Sequence, residues 1–176
     1  LGSSKLLSLL PRAGLQAFGI DIGQFASSPP YVIVAGPPEP DAVVLVENPE
    51  AFEAAVESTM DLPVAWVSVY GFGISNIDGQ GARLADMVTS TGRAITLVRS
   101  GSPPPLDALL GHQRLLHWGD FDRAGLLIFR AMQIARPNLR LSALYQPMAA
   151  FLRSGGGHPY VECTGKPRQD LWVAED

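Results

Sequence analysis

The chain has 176 residues, of which 47% are hydrophobic and 17% are charged, so it is long enough for one substantial core and too apolar to be disordered. Its net charge of −4, with only 13 lysines and arginines, excludes a protein that holds nucleic acid by bulk positive charge. The apolar runs are too short to cross a bilayer, and the single cysteine, Cys163, excludes an internal disulfide. We therefore expect a cytoplasmic protein with no membrane association.

The first forty residues predict a lead-in segment that packs on the core. Residues 6–10 form a short apolar helical stretch that Pro11 ends, residues 12–30 read as a mixed loop, and residues 31–35 read as a β-branched strand. The chain starts at Leu1 without a methionine, and we expect it to be a piece of a longer protein. The predicted boundaries are 1–40 for the lead-in, 41–153 for a catalytic core and 154–176 for a C-terminal extension.

A strand followed by a helix opens the predicted core. Residues 42–46 are a continuous apolar run of strand length, typical of a strand that is covered on both faces in a parallel sheet. Glu47 follows at the carboxyl end of this strand. Asn48 and Pro49 then favour a helix over residues 49–59, because proline suits the first helical position.

The next unit repeats this layout. Residues 63–70 read as a strand, and Gly71 and Gly73 read as the tight turn that leaves it. The elements predicted after this turn are a helix over 78–90, a strand over 94–98 and a surface turn over 100–105.

The third unit carries two aspartates between a strand and the clearest helix of the chain. Residues 114–118 form the strand, Asp120 and Asp122 follow it, and residues 124–134 have apolar side chains at helical spacing. In an extended backbone, residues two apart point to the same side, so both carboxylates should project together. The remaining predicted elements are a helical turn over 106–110, a strand over 139–144 and a helix over 148–152.

Alternating strands and helices on short connections predict an α/β fold, Rossmann-like, with a mainly parallel central sheet flanked by helices. Ligands bind at the carboxyl ends of strands in such sheets. Glu47, the turn at Gly71 and Gly73, and the pair Asp120 and Asp122 all fall at such ends. We therefore expect one crevice to collect them.

Clustered carboxylates repel each other unless a cation lies between them, and oxygen-only ligands favour Mg²⁺ or Mn²⁺. Such an ion, or a pair of ions ~3.5–4 Å apart, would act on a phosphodiester. Glu47 would be a metal ligand or the general base, and Arg123 would contact the scissile phosphate. The plainer interpretations are that Asp122 caps a helix, that the glycines only turn the chain and that Arg123 is a solvated helix-start residue.

The strings VLVENPEAF, VYGFG and LHWGDFDRAGLLIF resemble the Toprim domain of topoisomerases, primases and related nucleases. Within that group they are most similar to the JetD nuclease subunits of Wadjet anti-plasmid defence systems, and more distantly to the topoisomerase VI A subunit and Spo11-like transesterases. The resemblance covers roughly residues 42–135. It departs from the family in the proline-rich stretch from Ile95 to Gly111 and in the C-terminal part.

The resemblance implies a Toprim fold and a Mg²⁺- or Mn²⁺-dependent DNA endonuclease. Glu47, Asp120 and Asp122 would be catalytic residues and metal ligands, Gly71, Gly73 and Arg123 would bind the substrate, and a fourth acid would be Glu162 or Glu175. It further implies a homodimer in the full-length protein and a partnership with an SMC-like complex of the JetABC type that recognises plasmid DNA.

Two alternatives to the nuclease stay open at the level of sequence. One is a topoisomerase VI A or Spo11-like transesterase, whose active tyrosine would lie in an upstream domain. The other is a catalytically degenerate Toprim module that serves dimerisation or regulation.

Overall fold

The computed structural model describes residues 12–20, 31–59, 61–69 and 94–157. The described strands are β1 (Tyr31–Gly36), β2 (Ala42–Val46), β3 (Val64–Ser68), β4 (Ile95–Gly101), β5 (Leu115–Trp118) and β6 (Arg140–Leu141). The described helices are α1 (Arg12–Ala17), α2 (Pro49–Ser58), α3 (Leu106–Leu110), α4 (Arg123–Ala135) and α5 (Tyr145–Arg153).

The described strands form one six-stranded sheet in the order β4-β1-β3-β2-β5-β6. Strands β3, β2, β5 and β6 run parallel to one another, whereas β1 pairs with β3 in the antiparallel sense and β4 follows the direction of β1. In the register of the central pair, Val46 of β2 lies beside Trp118 of β5. The carboxyl ends of β2 and β5 are therefore neighbours at one edge of the sheet.

Strand β2 is covered on both faces of the sheet. All of its residues are buried, and Val43 to Val46 alternate between two apolar cores. Helices α3 and α4 cover the face to which Val43 and Leu45 point. Helix α2 covers the other face through its buried residues Phe52, Ala55 and Val56. The molecule is thus an α/β protein whose mostly parallel sheet lies between helices.

Helix α2 begins where its sequence signals place it. The side-chain Oδ1 of Asn48 accepts the backbone N–H groups of Glu50 at 2.8 Å and Ala51 at 3.2 Å. These bonds satisfy donors that the first helical turn leaves without an intrahelical partner. Pro49, which has no N–H to satisfy, stands at the first helical position.

The structure confirms the α/β class, the mainly parallel sheet and most of the predicted elements. Strand β2 has the predicted bounds, α2 ends one residue before the predicted position, and α4 extends one residue beyond the prediction at each end. The predicted helical turn over 106–110 is α3. These segments carry unambiguous periodicity or a capping signal, which is why sequence places them well.

Three predicted segments are wrong. Residues 12–17 are helical rather than part of a loop. Strand β4 continues to Gly101, where a turn was predicted, because Ser100 and Gly101 pair with Ala35 and Gly36 beyond a register shift that skips Arg99 of β4. The strand predicted over 139–144 spans only Arg140–Leu141, because the chain turns after it into α5, which begins three residues earlier than predicted.

Other predictions stay open. The helices over 6–10 and 78–90 lie outside the described residues, as do Gly71, Gly73, Glu162 and Glu175. The division at residues 40 and 153 also stays a prediction, although β1 belongs to the same sheet as the rest. None of the helices within the described ranges has the length and apolar character needed to span a bilayer.

Candidate acidic site at the sheet edge

Glu47 and the loop that carries Asp120 and Asp122 meet because β2 and β5 end side by side. The backbone N–H of Glu47 donates to the carbonyl of Trp118 at 3.0 Å, which extends the pairing of the two strands by one residue. The backbone of Asp120 in turn approaches the Glu47 carboxylate and acts to lower its pKa. Backbone contacts thus bring the acid of one strand end to the acidic loop of the next.

The Glu47 carboxylate is in an unfavourable environment for a negative charge. Burial, followed by the nearby charges of Asp120 and Asp122, raises the pKa of Glu47 from 4.5 to about 7. Among the described residues, its Oε2 atom is buried and has no hydrogen-bond partner. A buried acceptor without a partner costs about 1–3 kcal/mol of stability, so the fold holds this oxygen in place at an energetic disadvantage.

Asp122 caps helix α4, as the plainer interpretation predicted. Its backbone is extended, with φ −130° and ψ 179°, and its Oδ1 accepts the N–H of Gly125 at 2.8 Å. The cap engages one oxygen of the carboxylate and orients the group at the helix N-terminus, where a negative charge is favoured. Asp120 is exposed, and its charge, like that of Asp122, acts on Glu47.

Two glycines let the acidic loop pass close to its neighbours. A Cβ atom at Gly119 would overlap Oε2 of Glu47 and would lie 2.9 Å from Cε1 of His117. A Cβ atom at Gly125 would overlap the carbonyl oxygen of Asp120. The close approach of the carboxylates therefore depends on the absence of side chains at these two positions.

A buried polar pair lies directly beneath the loop. The hydroxyl of Tyr145 accepts the N–H of Gly119 at 2.8 Å and lies 3.1 Å from Nδ1 of His117. His117 is fully buried, and burial lowers its pKa to about 4, so it is neutral at pH 7. Burial, followed by the charges of the acidic site, raises the pKa of Tyr145. The phenol is therefore a neutral hydrogen-bonding group.

The structure brings together the three predicted carboxylates Glu47, Asp120 and Asp122 closely enough for their charges to interact. Gly71 and Gly73 lie outside the described residues, and the same holds for the side chain of Arg123, whose backbone starts α4. Sequence reasoning did not find Tyr145. Its position after a short strand gave no signal, because its partner Gly119 is 26 residues away along the chain.

The chemistry of these groups fits a hard cation. Within the described residues, no three Asp, Glu, His or Cys side chains form a group ready to hold a metal ion. Mg²⁺, however, retains several waters and needs only one or two carboxylates together with a substrate phosphate. The buried Glu47 Oε2, which has no hydrogen-bond partner in the described part of the chain, is an oxygen donor of the type that such an ion prefers.

Comparison with protein-family models, curated proteins and solved structures finds no significant match to this chain.

Proposed function

We propose that this chain is the catalytic domain of a divalent-metal-dependent DNA endonuclease with a Toprim fold, of the JetD type that acts on plasmid DNA. The observation that carries the proposal is the position of Glu47. Its half-buried side chain follows β2 beside the acidic loop of β5, and its buried Oε2 lacks a hydrogen-bond partner among the described residues. The order of Glu47, Asp120 and Asp122 along parallel strands agrees with the resemblance of VLVENPEAF and LHWGDFDRAGLLIF to Toprim sequences.

Mg²⁺ or Mn²⁺, when bound, would polarise the phosphoryl oxygen and activate a water for hydrolysis of a phosphodiester bond. Glu47 would offer Oε2 to the ion, and Asp122 would offer the oxygen that the helix cap leaves available. Asp120, exposed at the sheet edge, would complete the ligand set from the solvent side. In this arrangement the cation replaces the repulsion between the carboxylates with attraction.

Glu47 has a second role open to it in the same site. A carboxyl group with a pKa of about 7 exchanges its proton readily near neutral pH, which is what a general base requires. Its Oε2 atom would then take the proton of the attacking water while the aspartates hold the ion. The two roles differ in the effect of Glu47→Gln on metal affinity, which falls if Glu47 is a ligand and persists if it is the base.

DNA must be held largely by parts of the full-length protein or by partners. The net charge of −4 provides no electrostatic attraction for a polyanion over the chain as a whole. We therefore include in the proposal the homodimer and the SMC-like complex that the resemblance implies. In that assembly, the partners would position DNA and this domain would supply the cleavage site.

Metal binding and DNA nicking by the full-length protein test the proposal. Asp120→Asn and Asp122→Asn should weaken Mn²⁺ binding, measured by calorimetry, and abolish Mg²⁺-dependent nicking of supercoiled plasmid in the complete assembly. Asp41→Asn is the matched control, because Asp41 is an exposed aspartate that precedes the same strand β2 at its opposite end. This variant should nick and bind Mn²⁺ as the wild type does.

Two results would overturn the proposal. If the wild-type chain binds neither Mg²⁺ nor Mn²⁺, the acidic site has another role, such as that of a degenerate Toprim module. If DNA cleavage leaves protein covalently attached to the cut end, the reaction is a transesterification rather than hydrolysis. The covalent product is visible as a shifted band on a denaturing gel before protease treatment.

A further inference from the structure

We propose that Tyr145 is a positioning residue of the acidic site, whose hydroxyl fixes the peptide group between Trp118 and Gly119, one residue before Asp120. The proposal rests on the proposed metal-dependent function, because it is toward a bound cation that the position of the loop matters. Tyr145 opens helix α5 and is 6% exposed, so it approaches the site from below, on the protein side. It is not a ligand or an acid–base group in this role.

The tyrosine contacts the acidic loop on both sides of Asp120. Its hydroxyl accepts the N–H of Gly119 at 2.8 Å, and its ring lies 5.5 Å, centroid to centroid, from the ring of Phe121. One side chain thus contacts the residues immediately before and after Asp120, which restricts the backbone between them.

The Tyr145 hydroxyl joins the acidic loop to the buried imidazole beneath it. Because a backbone N–H can only donate, the Tyr145 oxygen accepts the N–H of Gly119, and the same hydroxyl lies 3.1 Å from Nδ1 of His117. A hydroxyl oxygen has two lone pairs and one proton, so the phenol donates to Nδ1 or accepts from it according to the tautomer of the imidazole. The chain of contacts runs from Gly119 through Tyr145 to His117.

Helix α5 is itself anchored to the strand that ends in the site. The N–H of Ser142 donates to the carbonyl of His117 at 2.9 Å, and the N–H of Tyr145 donates to the carbonyl of Ser142 at 3.2 Å. The tyrosine is therefore placed by the same strand, β5, whose end it supports. These hydrogen bonds hold the Tyr145 hydroxyl opposite the N–H of Gly119.

Packing of the ring and positioning by the hydroxyl are separable. Tyr145→Phe retains the ring contacts with Phe121 and His117 and removes only the oxygen. Tyr31→Phe is the matched control, because Tyr31 is 51% exposed on β1, which two strands separate from β5. A residue that only fills space would tolerate both substitutions equally.

The experiment compares the wild-type chain, Tyr145→Phe and Tyr31→Phe by NMR and by Mn²⁺ titration. In Tyr145→Phe, the amide hydrogen exchange of Gly119 should accelerate about fivefold or more, the value expected from the loss of one hydrogen bond, and Mn²⁺ affinity should fall by a similar factor. Tyr31→Phe should change neither quantity.

Each contrary result has its own meaning. Wild-type Mn²⁺ binding with unchanged Gly119 exchange and unchanged Mn²⁺ affinity in Tyr145→Phe overturns the positioning role alone. Absence of Mn²⁺ binding by the wild type overturns the proposed function and the positioning role with it. If Tyr145→Phe does not fold, the wild type decides: an unprotected Gly119 amide overturns the proposal, and a protected Gly119 amide supports it.

Discussion

Replacing Glu47 with glutamine tests whether the acidic site is electrostatically strained in the absence of a cation. Glutamine keeps the shape of the side chain and one acceptor oxygen, but it carries no charge. The substitution therefore removes both the burial of a negative charge and its repulsion by Asp120 and Asp122, which together raise the pKa of Glu47. We expect the variant to gain stability relative to the wild type as the pH rises.

The size and sign of this effect follow from the pKa of Glu47, which is about 7 in the fold and 4.5 as its ordinary value. Because the folded-state value is the higher one, the fold favours the protonated form. The stabilisation is fully present below pH 4.5 and is lost as the pH rises through about 7. Between pH 5 and pH 8 the wild type should lose about 2.5 kcal/mol through this group, at about 1.36 kcal/mol per pKa unit, and the glutamine variant should not.

His117 acts in the opposite direction and must be separated from Glu47. Burial lowers its pKa from 6.5 to about 4, so the stability that it contributes is present above pH 6.5 and is lost as the pH falls toward 4. In the wild type, the stability contributions of Glu47 and His117 change in opposite directions with pH over their shared range from about pH 4.5 to 6.5. The difference in stability between variant and wild type at each pH cancels the His117 contribution and isolates that of Glu47.

Urea unfolding at pH 5 and pH 8 without divalent ions measures the difference, and the fluorescence of the half-buried Trp118 and the buried Trp66 reports the transition. Glu47→Gln should become more stable relative to the wild type by about 2.5 kcal/mol between the two pH values. Glu57→Gln, an exposed glutamate of α2, is the control and should show no such change. If the difference in unfolding free energy between Glu47→Gln and the wild type is the same at both pH values, the inferred environment of this carboxylate is refuted.

Substitutions at Gly119, Asp122 and Asn48 test the local structure of the site and of the fold. Gly119→Ala should destabilise the protein by about 1–3 kcal/mol, because its Cβ atom would overlap Oε2 of Glu47. In a double-mutant cycle measured by urea unfolding, most of that loss should disappear when Glu47 is also replaced with alanine. Asp122→Ala should lose about 1 kcal/mol with the cap of α4, whereas Asp122→Ser should retain thermal stability and still bind Mn²⁺ more weakly in calorimetry. Asn48→Ala should lose about 1 kcal/mol in thermal unfolding through the cap of α2 and leave Mn²⁺ affinity unchanged.

The parts of the fold that sequence predicts are those with local causes. The continuous apolar run of β2 reflects burial on both faces, and the start of α2 reflects the combination of Asn48 and Pro49. Each signal acts within a few residues of the element that it specifies. For the same reason, Glu47 and Asp122 were placed at the ends of the right elements from the sequence alone.

The parts that sequence misplaces or leaves unassigned depend on partners far along the chain. The direction of β1, antiparallel to β3, follows from pairing across the sheet rather than from its own periodicity. Most residues of β4 are exposed, so no alternation marks the strand, and its length is set by the backbone of β1. Tyr145 was missed for a similar reason, since its contact with Gly119 closes only after β6 and the start of α5 are in place.

In the structure, Glu47 rather than the aspartate pair distinguishes a functional from a structural interpretation of the acidic residues. The pair Asp120 and Asp122 was the first signal, but Asp122 has a sufficient structural role as the cap of α4. Glu47 has no equivalent compensation among the described residues, because its Oε2 atom is buried without a partner and its pKa is raised. A glutamine, or an apolar residue of similar size, would serve the fold better at this position. The stability that Glu47 sacrifices at neutral pH is recovered when a cation binds the ionised carboxylate, so added Mn²⁺ should reduce the gap between wild type and Glu47→Gln at pH 8.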